Sequence, residues 1–291
     1  MRTADPIGTR CASTESLNLG YLKYLISGIT ELRPSWAICE LNGVAPTVEK
    51  EAGASSSASP WAFFDKIYCI SLDERADRRR EARRQFGRVG LADRVEFVIV
   101  QKHPADNEQG IHESHMECMR KGIHADAQTM LVFEDDIVFD RFSVKVLADC
   151  VRFLSTTSSW DILFFGCLSS GSRRTENNSV LKVRYRCLTH AYVVQRSFAE
   201  TLLGIPWRNT PYDAQLCSLA GDYYAAYPSF AFQSNARTDN MRNRKVDRFR
   251  RLCGGLLRIQ KTNEWYHRNR LAVFAIHVFL IMLLLLLVTR F

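Results

Sequence analysis

The sequence predicts an α/β fold: a mostly parallel, mixed sheet flanked by helices, followed by a C-terminal transmembrane helix. Three observations predict it. From Phe63 onward, short apolar runs rich in β-branched and aromatic residues alternate with longer charged segments, the pattern of a mostly parallel sheet with helices on both faces. A chain of 291 residues that is 46% hydrophobic can bury the core of one enzyme-sized domain with appendages. Finally, Leu271 to Val288, "LAVFAIHVFLIMLLLLLV", runs eighteen residues without Asp, Glu, Lys or Arg, long enough to cross a bilayer as a helix.

Residues 1 to 60 stand apart as an extension. "STESLNLGYLKYLISGITEL" can form a helix capped at Ser13 or Thr14, and "EKEAGASSSASP" is small and polar enough to be a linker. The domain proper is expected over 61 to 236. "FFDKIYCISL" reads as a buried strand, and "DERADRRREARRQFGRVG" as a charged helix stopped at Gly87 or Gly90. "RVEFVIV" is a second strand and "HESHMECMRKGIHADA" a helix with His115, Met119 and Ile123 near one face. "TMLVF" is a third strand that runs directly into Glu134; a helix follows from Val144 to Leu154, and "DILFFG", "HAYVV" and "SFAFQ" supply further strands.

The net charge of +8 is local. Between Arg237 and Arg270 lie eleven Lys/Arg against Asp239, Asp247 and Glu264, so this stretch carries the whole excess. A basic run can mark a nucleic-acid partner, but this one leads into the apolar span, so no nucleic acid is expected. It reads as a juxtamembrane segment over 237 to 270, attracted to anionic lipid, before a transmembrane helix over 271 to 288. Arg258, Lys261, Arg268 and Arg270 precede the span and Arg290 follows it, which keeps the N-terminal bulk cytoplasmic. Nine cysteines without a CxxC pair point to reduced thiols and exclude a disulfide framework or a zinc signature.

The stretch "MLVFEDDIVF" places Glu134, Asp135 and Asp136 where the third strand ends, the rim at which α/β sheets bind ligands. Crowded carboxylates repel and are costly to desolvate unless a cation or donors neutralise them. Hard ions such as Mg²⁺ or Mn²⁺ take one or two carboxylates together with phosphate oxygens. The residues alone equally allow a solvated turn whose acids cap the next helix.

In order along the chain, "IYCISLDERADRRR", "GIHESHMECMRKGI", "MLVFEDDIVFD", "WDILFFG", "HAYVV" and "PYDAQL" resemble the family 25 glycosyltransferases, which include lipooligosaccharide and collagen galactosyltransferases. The match runs from about Phe63 to Ser234. The resemblance implies a GT-A type fold, a nucleotide-sugar donor such as UDP-galactose, a divalent metal (Mn²⁺ or Mg²⁺) and transfer with inversion. Carried over residue by residue, it implies metal binding by Asp136 with Glu134, which can also contact ribose. It implies donor binding by Ser71, Asp73, Arg75, Arg78, Ser114, His115 and His190. Ser71 stands where the family often has Asn, and Ser114 with His115 match a Ser-His pair at the start of a helix. The base that takes the acceptor's proton is Asp213, on a loop after Pro206 and Pro211, or its rival Asp161.

Two other functions suit the same residues: a metal-dependent phosphodiesterase or nuclease, and a membrane-tethered binding protein without turnover. The anchor favours an acceptor held in the membrane, a lipooligosaccharide core or another lipid-linked glycan. Collagen is disfavoured because residues 1 to 34 lack the look of a secretory signal.

Overall fold

A computed structural model of the chain describes residues 59–234, 250, 252 and 254–288. The expected helix and linker before residue 59, and the basic residues of 237–249, lie outside the described residues.

The strand and helix alternation gives β1 (Lys66–Leu72), α1 (Ala76–Arg88), β2 (Glu96–Val100), α2 (Asn107–His124), β3 (Thr129–Glu134), β4 (Ile137–Phe139), α3 (Val144–Thr156) and β5 (Ile162–Phe164). The chain continues through β6 (Leu168–Arg174), β7 (Val180–Cys187), β8 (Ala191–Gln195), α4 (Arg196–Leu203), α5 (Tyr212–Ser218), β9 (Tyr223–Ala226), β10 (Ala231–Gln233) and α6 (Gly255–Val288). Eight strands form one sheet in the order β2-β1-β3-β8-β5-β9-β7-β6. Strands β2, β1, β3, β5, β9 and β6 run one way, and β8 and β7 the other. The sheet is thus mixed and mostly parallel in strand direction.

Period-two alternation sorts the apolar residues onto two cores. Leu131, Phe133 and Val193 face a layer holding Phe86 of α1 and Leu147 and Cys150 of α3. Met130, Val132 and Tyr192 face Met116 and Met119 of α2, Phe198 and Leu202 of α4 and Leu216 of α5. Both faces are covered, so the long apolar runs of β1, β3 and β8 are buried throughout. Cys69, Cys118, Cys150, Cys167 and Cys187 are buried free thiols within these layers.

Three expectations change. Helix α2 starts at Asn107, more than a turn before "HESHM", because the Asp106 side chain accepts from the Glu108 amide and caps it there. "SFAFQ" does not join the main sheet: its β10 pairs antiparallel with β4. The ribbon of β6 and β7 was not expected as strands, since β6 is partly exposed along its length and carries no apolar alternation.

Helix α6 has two halves. The first packs on the domain: Gln260 is fully buried, and Asn263 and His267 bond the main chain of Ser169. Asn269 leaves helical geometry (φ −106°, ψ 15°), and beyond it the apolar half is exposed. Its most apolar 18-residue window has a mean hydropathy of 2.6 with none of it buried against the domain, long and apolar enough to cross a membrane.

Candidate functional site

The pleat of β3 decides where each acid points. Glu134 continues the face of Met130 and Val132 toward α2, while Asp135 continues the opposite face toward α1. Ser71 of β1 shares the α1 face, and its hydroxyl donates to Asp135 Oδ2 at 2.6 Å. Arg78 of α1 reaches Asp135 Oδ1 at 3.4 Å. Asp135 is therefore pinned beneath the loop between β1 and α1.

Glu134 meets a different set. Its Oε1 accepts from Thr189 Oγ1 at 3.4 Å and lies 3.7 Å from His115 Nε2. The other nitrogen of His115 is 3.0 Å from the Tyr192 hydroxyl, and its ring stacks on Tyr212 at 4.4 Å. Burial pushes the His115 imidazole down to about 4, so the ring is neutral at physiological pH. Burial, followed by the charges of Asp213 and Asp135, pushes Glu134 up to about 8.

Asp136 turns to β10, where Gln233 Nε2 donates to its Oδ2 at 2.9 Å and the Ser234 amide donates to its main-chain oxygen at 2.8 Å. Burial and then the charge of Glu134 push Asp136 up to about 7. Its other oxygen, Oδ1, is buried with no hydrogen-bond partner. A carboxylate oxygen hidden from water without a donor is costly, and a cation is the ligand that would satisfy it.

Among the described residues no group of three or more His, Cys, Asp or Glu side chains stands assembled for a metal ion. The donor set fits Mg²⁺ or Mn²⁺ in the form in which such ions are held by one or two carboxylates, with water and phosphate completing the shell. It does not fit zinc, which requires three or four protein ligands rich in Cys or His.

The remaining residues divide. Asp73 is exposed beside the loop, accepting from Gln101 at 3.2 Å. Arg75 forms a two-pronged ion pair with Asp77, both contacts at 3.0 Å. Arg78 is committed to Asp135 rather than lying on the open face of α1. Ser114 does not start its helix: it lies inside α2 and donates to the Gly110 carbonyl at 2.6 Å. His190 is completely buried behind β3, its Nε2 3.1 Å from the Ala231 carbonyl, and burial lowers its pKa to about 4. It supports the backbone under the acids and does not open onto the rim.

Asp213 lies in the first turn of α5 and not on a loop. Its two oxygens accept from the Tyr185 hydroxyl at 2.6 Å and the Leu188 amide at 3.1 Å. Asp161 lies at the wrong end. It precedes β5, its neighbour Ile162 pairs with Val194, and Val194 pairs with Met130 at the start of β3. Glu134 is four residues further along, roughly 13 Å at the usual rise per residue. Asp161 accepts from the Asp222 amide at 2.7 Å and holds a loop, so it is set aside as a base.

Sequence reading passed over Arg79, Thr189 and Gln233. Arg79 bonds Ser71 Oγ and the carbonyls of Leu72 and Asp73, locking the loop between β1 and α1. It was indistinguishable by type from the other arginines of α1, and the helical phase that brings it back over the strand end was the available signal.

No protein-family model matches the chain, and no curated protein matches it closely enough to count as a relative. Among solved structures, the chain is similar to A197 from STIV (TM-score 0.36, 11% identity, covering 58% of this chain and 85% of that one). It is also similar to a glycosyltransferase involved in glycosylation of the major capsid of PBCV-1 (TM-score 0.37, 12% identity, 63% and 99% covered). A third similar structure is a Bacillus anthracis protein assigned as a glucose-1-phosphate thymidylyltransferase (TM-score 0.35, 10% identity, 62% and 76% covered). These scores are low, and what the site can do rests on its own geometry.

Proposed function

We propose that the chain is an inverting, metal-dependent glycosyltransferase of GT-A type, moving a hexose, galactose from UDP-galactose as the leading donor, to a glycan held at the membrane. The observation that carries this reading is Asp136 Oδ1, a buried carboxylate oxygen without a donor, next to Glu134 at the carboxyl end of β3. Asp136, with Glu134, would hold Mn²⁺ or Mg²⁺. The ion supplies charge neutralisation for a diphosphate leaving group.

The chain's own groups supply the rest. Arg78, partly buried beside Asp135, gives the diphosphate side a fixed cation. Arg79 holds the donor-side loop in shape. Neutral His115 donates or accepts at Glu134 without adding charge. Asp213, oriented by Tyr185 and Leu188, takes the proton of the attacking acceptor hydroxyl. The exposed half of α6 anchors the domain, cytoplasmic in this reading, at a bilayer whose lipid-linked glycan is the acceptor.

The test is release of UDP, GDP or CMP from a panel of sugar nucleotides by purified protein with Mn²⁺ or EDTA, beside Asp136→Ala. Metal-dependent release from one donor, lost in the variant, supports the reading. Absence of binding and turnover with every donor and metal defeats it. Near wild-type transfer by Asp213→Asn with donor binding intact would remove Asp213 as the base.

A further inference from the structure

The docked half of α6 lies across one end of the sheet. Lys261 pairs with Asp140, which follows the acidic stretch through β4. Glu264 pairs with Arg141 at 3.2 Å and accepts from the Ser229 amide at 2.9 Å. Gln260 donates to the Ala231 carbonyl at 2.9 Å, and Asn263 and His267 bond Ser169 just beyond β5. Ser229 and Ala231 follow β9. Each of these anchoring points therefore comes after the carboxyl end of a strand, as do Glu134 and Asp136. The apolar half of α6 leaves the domain from the end that carries the candidate site.

It leaves beside the ribbon of β6 and β7. His267 bonds Ser169, Ser169 pairs with Tyr185, and the next pair along the ribbon is Gly171 with Arg184. The ribbon's Arg184 is thus one ladder pair from the point where His267 docks, and Arg270, the last basic residue before the apolar stretch, is three residues beyond His267. Further out, Arg173 stands directly opposite Lys182 in the ladder, with both side chains exposed. Like charges facing each other across a strand pair destabilise it. Asp222 pairs with Lys182 at 2.6 Å and exposed Glu176 sits in the turn, but neither is paired with Arg173 or Arg184.

We propose that the ribbon's exposed cations, Arg173, Lys182 and Arg184, form with Arg268 and Arg270 a contact surface for anionic lipid headgroups. This surface lays the carboxyl-end site along the bilayer. The inference rests on the reading of α6 as a membrane anchor and adds a second point of contact, on a different part of the chain. One anchor fixes a position; a second contact fixes an orientation, and anions facing the ribbon would offset the charge of Arg173 and Arg184, which Asp222 does not reach.

The test is amide hydrogen exchange of the full chain reconstituted in phosphatidylcholine nanodiscs, with and without phosphatidylserine. Exchange across residues 171–184 should slow roughly threefold or more in the anionic discs, and the protection should fall at high salt and in the Arg173→Ser/Arg184→Ser variant. Equal exchange in both discs, with the apolar half of α6 protected in both, overturns the ribbon's role and leaves the anchor standing. No protection of α6 in either disc overturns both. Protection of the ribbon by a duplex oligonucleotide but not by anionic discs assigns the surface to nucleic acid and also overturns the proposal.

Discussion

The main-chain amide of Glu134 donates to the carbonyl of His190 at 3.0 Å, so the first acid of the site is hung on the residue that precedes β8. The imidazole of His190 in turn shares the Ala231 carbonyl with Gln260 of α6. His190→Ala empties a fully buried position and should lower stability by about 2–4 kcal/mol. A chemical denaturation midpoint reads this loss. A change within about 0.5 kcal/mol would show that the bridge is dispensable.

The raised pKa values of Glu134 and Asp136 give a pH dependence with a definite sign. Both groups bind protons in the folded state at pH values where the unfolded chain has released them. In metal-free protein the stability contributed by these two carboxyls should therefore fall as pH rises from about 4 to about 8. Glu134→Gln should flatten much of this slope, and Mn²⁺ should raise the melting temperature more at pH 8 than at pH 6. Thermal melts across pH, with and without metal, check both statements.

His115 gives the opposite test. With its pKa held down to about 4, its ring should show flat NMR shifts from pH 8 to about 5. Its contribution to stability is lost as pH falls below about 6.5 and levels off near 4. A midpoint near 6.5 in the folded protein would remove the buried, neutral partner assigned to Glu134.

Gly166 has no room for a side chain: an added Cβ would sit 1.9 Å from the Ala231 oxygen and 2.3 Å from Gln260 Nε2. Gly166→Ala should cost about 3 kcal/mol or more, because a backbone atom cannot step aside as a side-chain tip can. Limited proteolysis should then cut α6 near its docked half before it cuts the domain.

The parts legible in sequence were those whose burial is written in apolar residues. Strands β1, β3 and β8 are buried on both faces and read as unbroken hydrophobic runs, and the end of the β3 run placed Glu134, Asp135 and Asp136 at the rim. The docked half of α6 was hidden for the opposite reason. Gln260, Asn263, Glu264 and His267 repeat at helical spacing, but they hold the domain through hydrogen bonds, so the segment reads as a basic run. In the β6 and β7 ribbon, β6 carries no apolar alternation, whereas β7 alternates Leu181, Val183, Tyr185 and Cys187 with Lys182, Arg184 and Arg186, a strand signal that was there to be read. Asp161 stayed open as a rival base because a carboxylate before a strand looks the same in sequence whether it faces a substrate or a neighbouring amide.

The break at Asn269 marks where the protein can be divided. The helix that reaches outward is the same helix that covers the site's end of the sheet, so a soluble form trimmed before Gly255 would lose part of its own roof, including the buried Gln260. Trimmed just after Asn269, it would keep the contacts that Gln260, Lys261, Asn263, Glu264 and His267 make with the domain and shed Arg270 with the exposed apolar stretch. Solubility and integrity are separated by about one turn of helix.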